Sequence, residues 1–149
     1  MRTLLSSALV GERVLVALGS NVGDREGFLA SARALLGACS NVRIVGATRV
    51  EETAPLGGAP QAPYLNQMVL LATREAPVVL LARLHRIELA LGRVRGVRWS
   101  PRTIDLDIVR FGDVRMKTPR LTLPHPGLKD RGFWQRQVRA LERHGGAAA

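Results

Sequence analysis

Asp105 and Asp107 stand two residues apart within the apolar run Ile104, Leu106 and Ile108. On a β-strand this spacing turns both carboxylates to one face, roughly 6.5–7 Å apart along the backbone, and the apolar side chains to the other. Two carboxylates so placed can converge on magnesium, a hard cation that takes oxygen ligands and keeps waters for a substrate phosphate. A pair of ions about 3.5–4 Å apart also lies within their combined reach. Taken alone, Asp-Leu-Asp reads first as a solvated strand face. The setting favours chemistry: Arg98, Arg102 and Arg110 flank the acids, and Arg120, His125 and Arg131 follow after a short hairpin. Carboxylates among many arginines, with no cysteine nearby, point to magnesium and a polyphosphate together. The sequence has neither G-x-x-x-x-G-K-[ST] nor G-x-G-x-x-G, so side chains must hold the phosphates.

The charge is concentrated where those residues lie. Residues 92–139 hold 12 of the 22 Lys and Arg but only four of the 12 Asp and Glu, so +8 of the net +10 falls there. Such a balance favours an anionic partner. Twenty of the basic residues are arginines, whose planar fork grips phosphate oxygens in two-pronged fashion. With 149 residues, 46% of them apolar, the chain has the size and composition of one globular domain. Cys39 is alone, which excludes an internal disulfide and a cysteine-based zinc cluster. Arg2, Leu4, Leu5, Ala8, Leu9 and Val10 faintly resemble a secretion signal, but Ser6 and Ser7 interrupt a run already too short. A cytoplasmic protein with no membrane partner is expected.

The surrounding pattern supplies the elements that must position the acids. Val14–Leu18 reads as a buried strand stopped by the turn Gly19-Ser20-Asn21. Asp24 is a natural N-cap for a helix over 25–38, with Phe28, Ala32, Leu35 and Leu36 as its apolar stripe. Val42–Val50 is strand-like, residues 53–63 form a Pro/Gly-rich loop, and Tyr64–Ala72 returns as a strand. Pro77 opens a second helix with the stripe Leu80, Leu84, Ile87 and Leu91, closed by Gly92. An arginine-rich loop over 92–102 leads into a strand over Thr103–Phe111, and Gly112-Asp113 turns into another short one. Pro119, Pro124 and Pro126 hold off regular structure until a helix over 132–143. The two loops are expected to close over ligands. The βαββαβ order predicts an α+β, ferredoxin-like core, an antiparallel sheet flanked by helices in three αβα layers. The domain is expected to span 12–143, with 1–11 and 144–149 as tails.

The string from Arg98-Trp99-Ser100-Pro101-Arg102 through Asp105-Leu106-Asp107-Ile108 closely resembles the signature of the 6-hydroxymethyl-7,8-dihydropterin pyrophosphokinases of folate biosynthesis. Leu18-Gly19-Ser20-Asn21, Thr53-Ala54-Pro55-Leu56-Gly57, Tyr64-Leu65-Asn66, Ile87-Glu88-Leu89, Gly92-Arg93-Val94-Arg95, Arg120 to His125 and Arg131-Gly132-Phe133 match in the same order. The resemblance covers about residues 13–133. It implies transfer of the β,γ-diphosphate of ATP to the hydroxymethyl group of the reduced pterin, giving AMP. It further implies that Asp105 and Asp107 bind two Mg²⁺ ions and act in catalysis with Arg93 and Arg102. Glu88, Arg95, Ile108, Arg120, Thr122, His125 and Arg131 fall on the ATP side; Thr53, Leu56, Tyr64, Asn66, Trp99 and Phe133 fall on the pterin side. A flat heteroaromatic ring suits aromatic walls and a few aimed polar groups.

Two departures stand out. His85 precedes Glu88 by one turn, where glutamine occurs in relatives, and Trp134-Gln135-Arg136-Gln137-Val138 lacks the family's apolar run. The last sheet and helix elements are therefore expected to be abbreviated. Two rivals compete with the kinase. A basic ferredoxin-like domain suits RNA, and Arg131-Gly132-Phe133 mimics the opening of an RNA-binding motif, but that role has no use for the two acids. A Mg²⁺-dependent phosphohydrolase would use them, but no general base for activating water stands out. A monomer acting on small molecules, with no nucleic-acid partner, is the expectation.

Overall fold

The central strand dictates the architecture. In the computed structural model, which describes residues 11–55, 61–93 and 103–148, β1 (Glu12–Ser20) lies between β4 (Tyr64–Thr73) and β5 (Asp105–Phe111). It is buried continuously from Val14 to Ser20, because both faces of its sheet are covered. Val14, Val16 and Leu18 enter one apolar cluster, Leu15 and Ala17 the other. β2 (Val42–Ala47) completes the antiparallel order β2-β4-β1-β5, and β3 (Glu51–Thr53) pairs with the far end of β4. The α+β, ferredoxin-like expectation holds.

α1 (Arg25–Ala38) and α2 (Pro77–Ala90) cover one face of the sheet. Asp24 caps α1 as expected, its Oδ1 accepting from the Gly27 N–H at 3.0 Å. The stripe differs in one place. Leu29 is buried and Leu35 is 39% exposed, because the helix rolls by one position to seat Leu29, Ala32 and Leu36 on the sheet. Pro77 occupies the first turn of α2, and Leu80, Leu84 and Ile87 are buried. α3 (Gly132–Ala148) covers the opposite face through Trp134, Val138 and Leu141. It continues where a tail was expected from Gly145. No helix among the described residues is long and apolar enough to cross a membrane.

Several boundaries depart from the sequence pattern. β1 runs through Gly19 and Ser20, which pair with Asn66 and Leu65 rather than turn. The expected strand Val42–Val50 breaks after Ala47: Thr48 spends its hydroxyl on the Met68 N–H and its carbonyl on the Gln67 side chain. The edge then resumes as β3, so Thr53 lies on a strand and not in the loop. The proline-rich stretch holds a small hairpin, β6 (Met116–Lys117) with β7 (Thr122–Leu123), and a 3₁₀ turn over Pro126–Asp130. β5 starts at Asp105. Its register against β1 skips Val109, a bulge after which Arg110 shares the α3 face with Val109 and reaches Glu142 of that helix, while Phe111 enters the core.

Candidate functional site

β5 separates the two kinds of side chain as its alternation requires. Ile104, Leu106 and Ile108 are buried against α1 and α2, and Asp105 and Asp107 project from the other face. α3 packs against that face further down, at Val109. The upper part holds the acids.

Two cavities meet at the acids. The first, about 210 Å³, is lined by Gly19, Thr53, Gln61, Tyr64, Asn66, Arg131, Phe133 and Trp134 together with Asp105 and Asp107. The second, about 320 Å³, is lined by His85, Glu88, Arg93, Ile108, Arg120, Thr122 and His125 with the same two acids. Of the expected site residues, Thr53, Tyr64, Asn66, Arg131 and Phe133 thus gather on one side, and Glu88, Arg93, Ile108, Arg120, Thr122 and His125 on the other. Leu56, Arg95, Trp99 and Arg102 lie outside the described residues, as do residues 56–60 and 94–102 of the two expected lids. Arg110, which flanks the acids in sequence, points away from them to Glu142.

Each wall has a local cause. In the first cavity, the β3–β4 pairing sets Thr53 opposite Tyr64, and the Asn66 amide donates to the Thr53 hydroxyl. A Cβ on Gly19 would stand 3.3 Å from Asn66 Oδ1, so glycine there leaves room for the amide. Asn21 donates to Gln61 at 2.8 Å and Arg25 to the Pro63 carbonyl at 2.9 Å, tying the chain before β4 to the start of α1.

In the second cavity, Glu88 is 1% exposed and its carboxylate is fully engaged. Oε2 accepts from Arg93 Nη1 at 2.6 Å and from the Leu106 N–H of β5 at 2.8 Å. Arg93 Nη1 also lies 2.9 Å from Asp105 Oδ1. The acid pair and the end of α2 are thereby locked together by charge-assisted bonds.

Asp107 is the less compensated acid. Burial, then Asp105, then Glu88 push its carboxyl from the ordinary 3.8 up to about 7, against the pull of Arg131 and Arg93. Its side chain is 37% exposed; that exposure opens into the concave cavities and not onto open solvent, so desolvation still dominates. Like charges held this close disfavour double ionisation. A donor set of two facing carboxylates with a surplus of negative charge suits a hard divalent cation.

His125 faces this acid from the edge. Its N–H donates to the Val109 carbonyl at 2.8 Å, and its Nδ1 accepts from the Gly127 N–H at 2.9 Å. In the neutral ring the proton therefore sits on Nε2, the atom 3.9 Å from Asp107 Oδ1. Burial and Arg131 lower the His125 pKa, with Asp105 pulling the other way. Trp134, Gly19 and Gln61 line the first cavity without having been expected there. Their signals are long-range: a strand register, a helix docking and a side-chain hydrogen bond across 40 residues.

Residues 15–143 match the 7,8-dihydro-6-hydroxymethylpterin-pyrophosphokinase family. The chain is 44% identical over 118 residues to the 2-amino-4-hydroxy-6-hydroxymethyldihydropteridine pyrophosphokinase of Bacillus subtilis, covering 79% of this chain and 71% of that protein. It is 40% identical over 122 residues to the protein of the same name from Pseudomonas aeruginosa, covering 82% and 75%. The bifunctional protein FolKE of Lactococcus lactis subsp. lactis is 37% identical over 118 residues, 79% of this chain but 34% of that longer protein.

Proposed function

The chain belongs to the 7,8-dihydro-6-hydroxymethylpterin-pyrophosphokinase family, and we propose that its two cavities are the two substrate sites of that reaction, joined at Asp105 and Asp107. It is a pyrophosphokinase of folate biosynthesis with ATP as co-substrate. The observation that carries the division is that both acids line both cavities. A transferring phosphoryl group must lie between nucleotide and acceptor, so the groups that compensate its charge belong to both sites.

The reduced pterin takes the first cavity, with Tyr64 and Phe133 as aromatic walls and Asn66 and Thr53 as polar guides; Leu56 and Trp99 join them by the family pattern. ATP takes the second, its phosphates met by Arg93, Arg120 and His125, with Arg131 meeting them from the first cavity, which it lines beside the acids; Arg95 and Arg102 are added by that pattern, and Ile108 and Thr122 serve as wall. Glu88 acts through Arg93, which it holds against β5. Asp105 and Asp107 would hold Mg²⁺, two ions in the full complex. When bound, these supply positive charge to the phosphates and orient them.

The hydroxymethyl oxygen attacks the β-phosphorus, the bond from that phosphorus to the α,β-bridging oxygen breaks, and AMP leaves. Positioning and charge compensation suffice for this in-line transfer, and no protein nucleophile is needed. The unpaired Cys39 suits the cytoplasm. Incubation with ATP, Mg²⁺ and 6-hydroxymethyl-7,8-dihydropterin should give AMP and pterin diphosphate in equal amounts. ADP as main product, or AMP formed equally well without pterin, would overturn the reading.

A further inference from the structure

Arg131 does not rest on a carboxylate. Its guanidinium carbon lies 4.3 Å from the centroid of the Trp134 ring. Gly127 stands off the end of the guanidinium, where an added Cβ would coincide with Arg131 Nη1, lie 2.8 Å from Cζ and come 3.1 Å from His125 Nδ1. The same indole meets the His125 ring edge-on, at 4.9 Å between centroids and 87° between planes. Trp134 itself is 5% exposed, held in the cluster under the sheet with Leu15, Ala17, Met68 and Val109. Gln135 fixes the junction from below, its Nε2 donating to the Leu128 and Lys129 carbonyls at 2.9 and 3.0 Å.

We propose that Trp134 and Gly127 form a slot that seats the Arg131 guanidinium beside Asp107, making Trp134 a positioning residue for the phosphate clamp. A cation over an indole face gains several-fold when desolvated, and a planar guanidinium stacks there as an ammonium cannot. The slot matters because Arg131 has four rotatable bonds and would otherwise lose that freedom only on meeting its ligand, which costs affinity. The glycine is required by space: any side chain at 127 occupies the place of the guanidinium, whereas the backbone can accept alanine without strain. Trp134 thus does more than fill the core. It ties the sheet's lower cluster to the phosphate-facing groups.

The functional half of this inference rests on the phosphate-binding role given to Arg131 above, and the slot can be tested apart from it. Full-length Gly127→Ala, Trp134→Leu and Trp134→Phe variants are compared with the parent in two measurements. In the ligand-free protein, the Arg131 Nε–H resonance should be resolved in the parent and in Trp134→Phe. It should merge with the exposed arginines in Gly127→Ala and Trp134→Leu. In calorimetry with α,β-methylene-ATP and Mg²⁺, those two variants should bind about tenfold more weakly, and Trp134→Phe within about threefold of the parent. If Trp134→Leu fails to fold, Gly127→Ala decides, since its site is a half-exposed turn.

An Arg131 resonance unaffected by Gly127→Ala would overturn the slot. So would Trp134→Phe losing as much as Trp134→Leu, because bulk alone would then explain the tryptophan. If the parent binds no nucleotide analogue, the proposed function fails while the resonance still decides the slot.

Discussion

The two faces of β5 carry opposite assignments on adjacent residues. Toward α1 and α2, Ile104, Leu106 and Ile108 sit in a cluster of aliphatic side chains that spans three layers of contact from α1 to β7. Toward α3, Asp105 and Asp107 face the two cavities, and apolar packing resumes only at Val109. One face is closed to water along its whole length; the other is closed for half. The difference teaches that the site exists because the covering helix stops short. A ferredoxin-like sheet supplies the acids with a rigid floor through its filled face, and room for ligands through its unfilled one.

The largest expected effect breaks the comparison on the open face. Asp105→Ala or Asp107→Ala should lower turnover by at least about two orders of magnitude through lost transition-state charge compensation, while the melting temperature stays near that of the parent. A double variant that retains near-normal Mg²⁺-dependent turnover would remove the acids from the mechanism. Asn66→Ala comes next. By losing an aimed polar group and releasing Thr53, it should raise KM for the pterin about tenfold and leave KM for ATP little changed. Equal rises in both would mean that the cavities are not separate substrate sites.

The closed face should respond in stability alone. Ile104→Val removes one buried methyl from a fully enclosed position and should cost about 0.5–1.5 kcal/mol in chemical denaturation, with both KM values intact. A separate effect is on pH dependence. Asp107 binds its proton more tightly in the folded protein than in the unfolded chain, with a pKa of about 7 against 3.8. Its contribution to stability is therefore complete below about pH 4 and is lost as pH rises through about 7. Metal-free Asp107→Asn should lack that decline, which thermal melts between pH 4 and 8 would reveal. Mg²⁺ should oppose the same decline in the parent, because it competes with the proton for the carboxylate.

The closed face was the more legible of the two. Alternation across Ile104–Ile108, the Asp24 cap and the stripe Leu80, Leu84 and Ile87 are local patterns, and each reappears in the structure. The site was legible where its residues share one short string, as Asp105 and Asp107 do. β3 was not, because Glu51–Thr53 is too short to show a period and exists only through pairing with β4. Trp134 was read as a departure from a pattern. Its place beside Arg131 depends on α3 docking under the sheet and on an absent side chain at Gly127, neither of which a sequence window contains. Arg110 misleads for the converse reason: proximity along the strand suggests the site, but its guanidinium is held by Glu142 of α3.

β5 is also the last strand of its sheet, and the outer rim of such a strand offers a template on which another chain can lay down its own backbone. Here two groups of that rim are already taken. The Leu106 N–H belongs to Glu88, and the Val109 carbonyl to the His125 N–H. The groups that hold Arg93 and face Asp107 are thus the same ones that deny the rim to a neighbouring molecule. Loss of Glu88 would cost more than an arginine's alignment: it would uncover a donor on an exposed strand and invite edge-to-edge self-association. The same few bonds thus align an arginine of the site and occupy backbone groups at the sheet's edge.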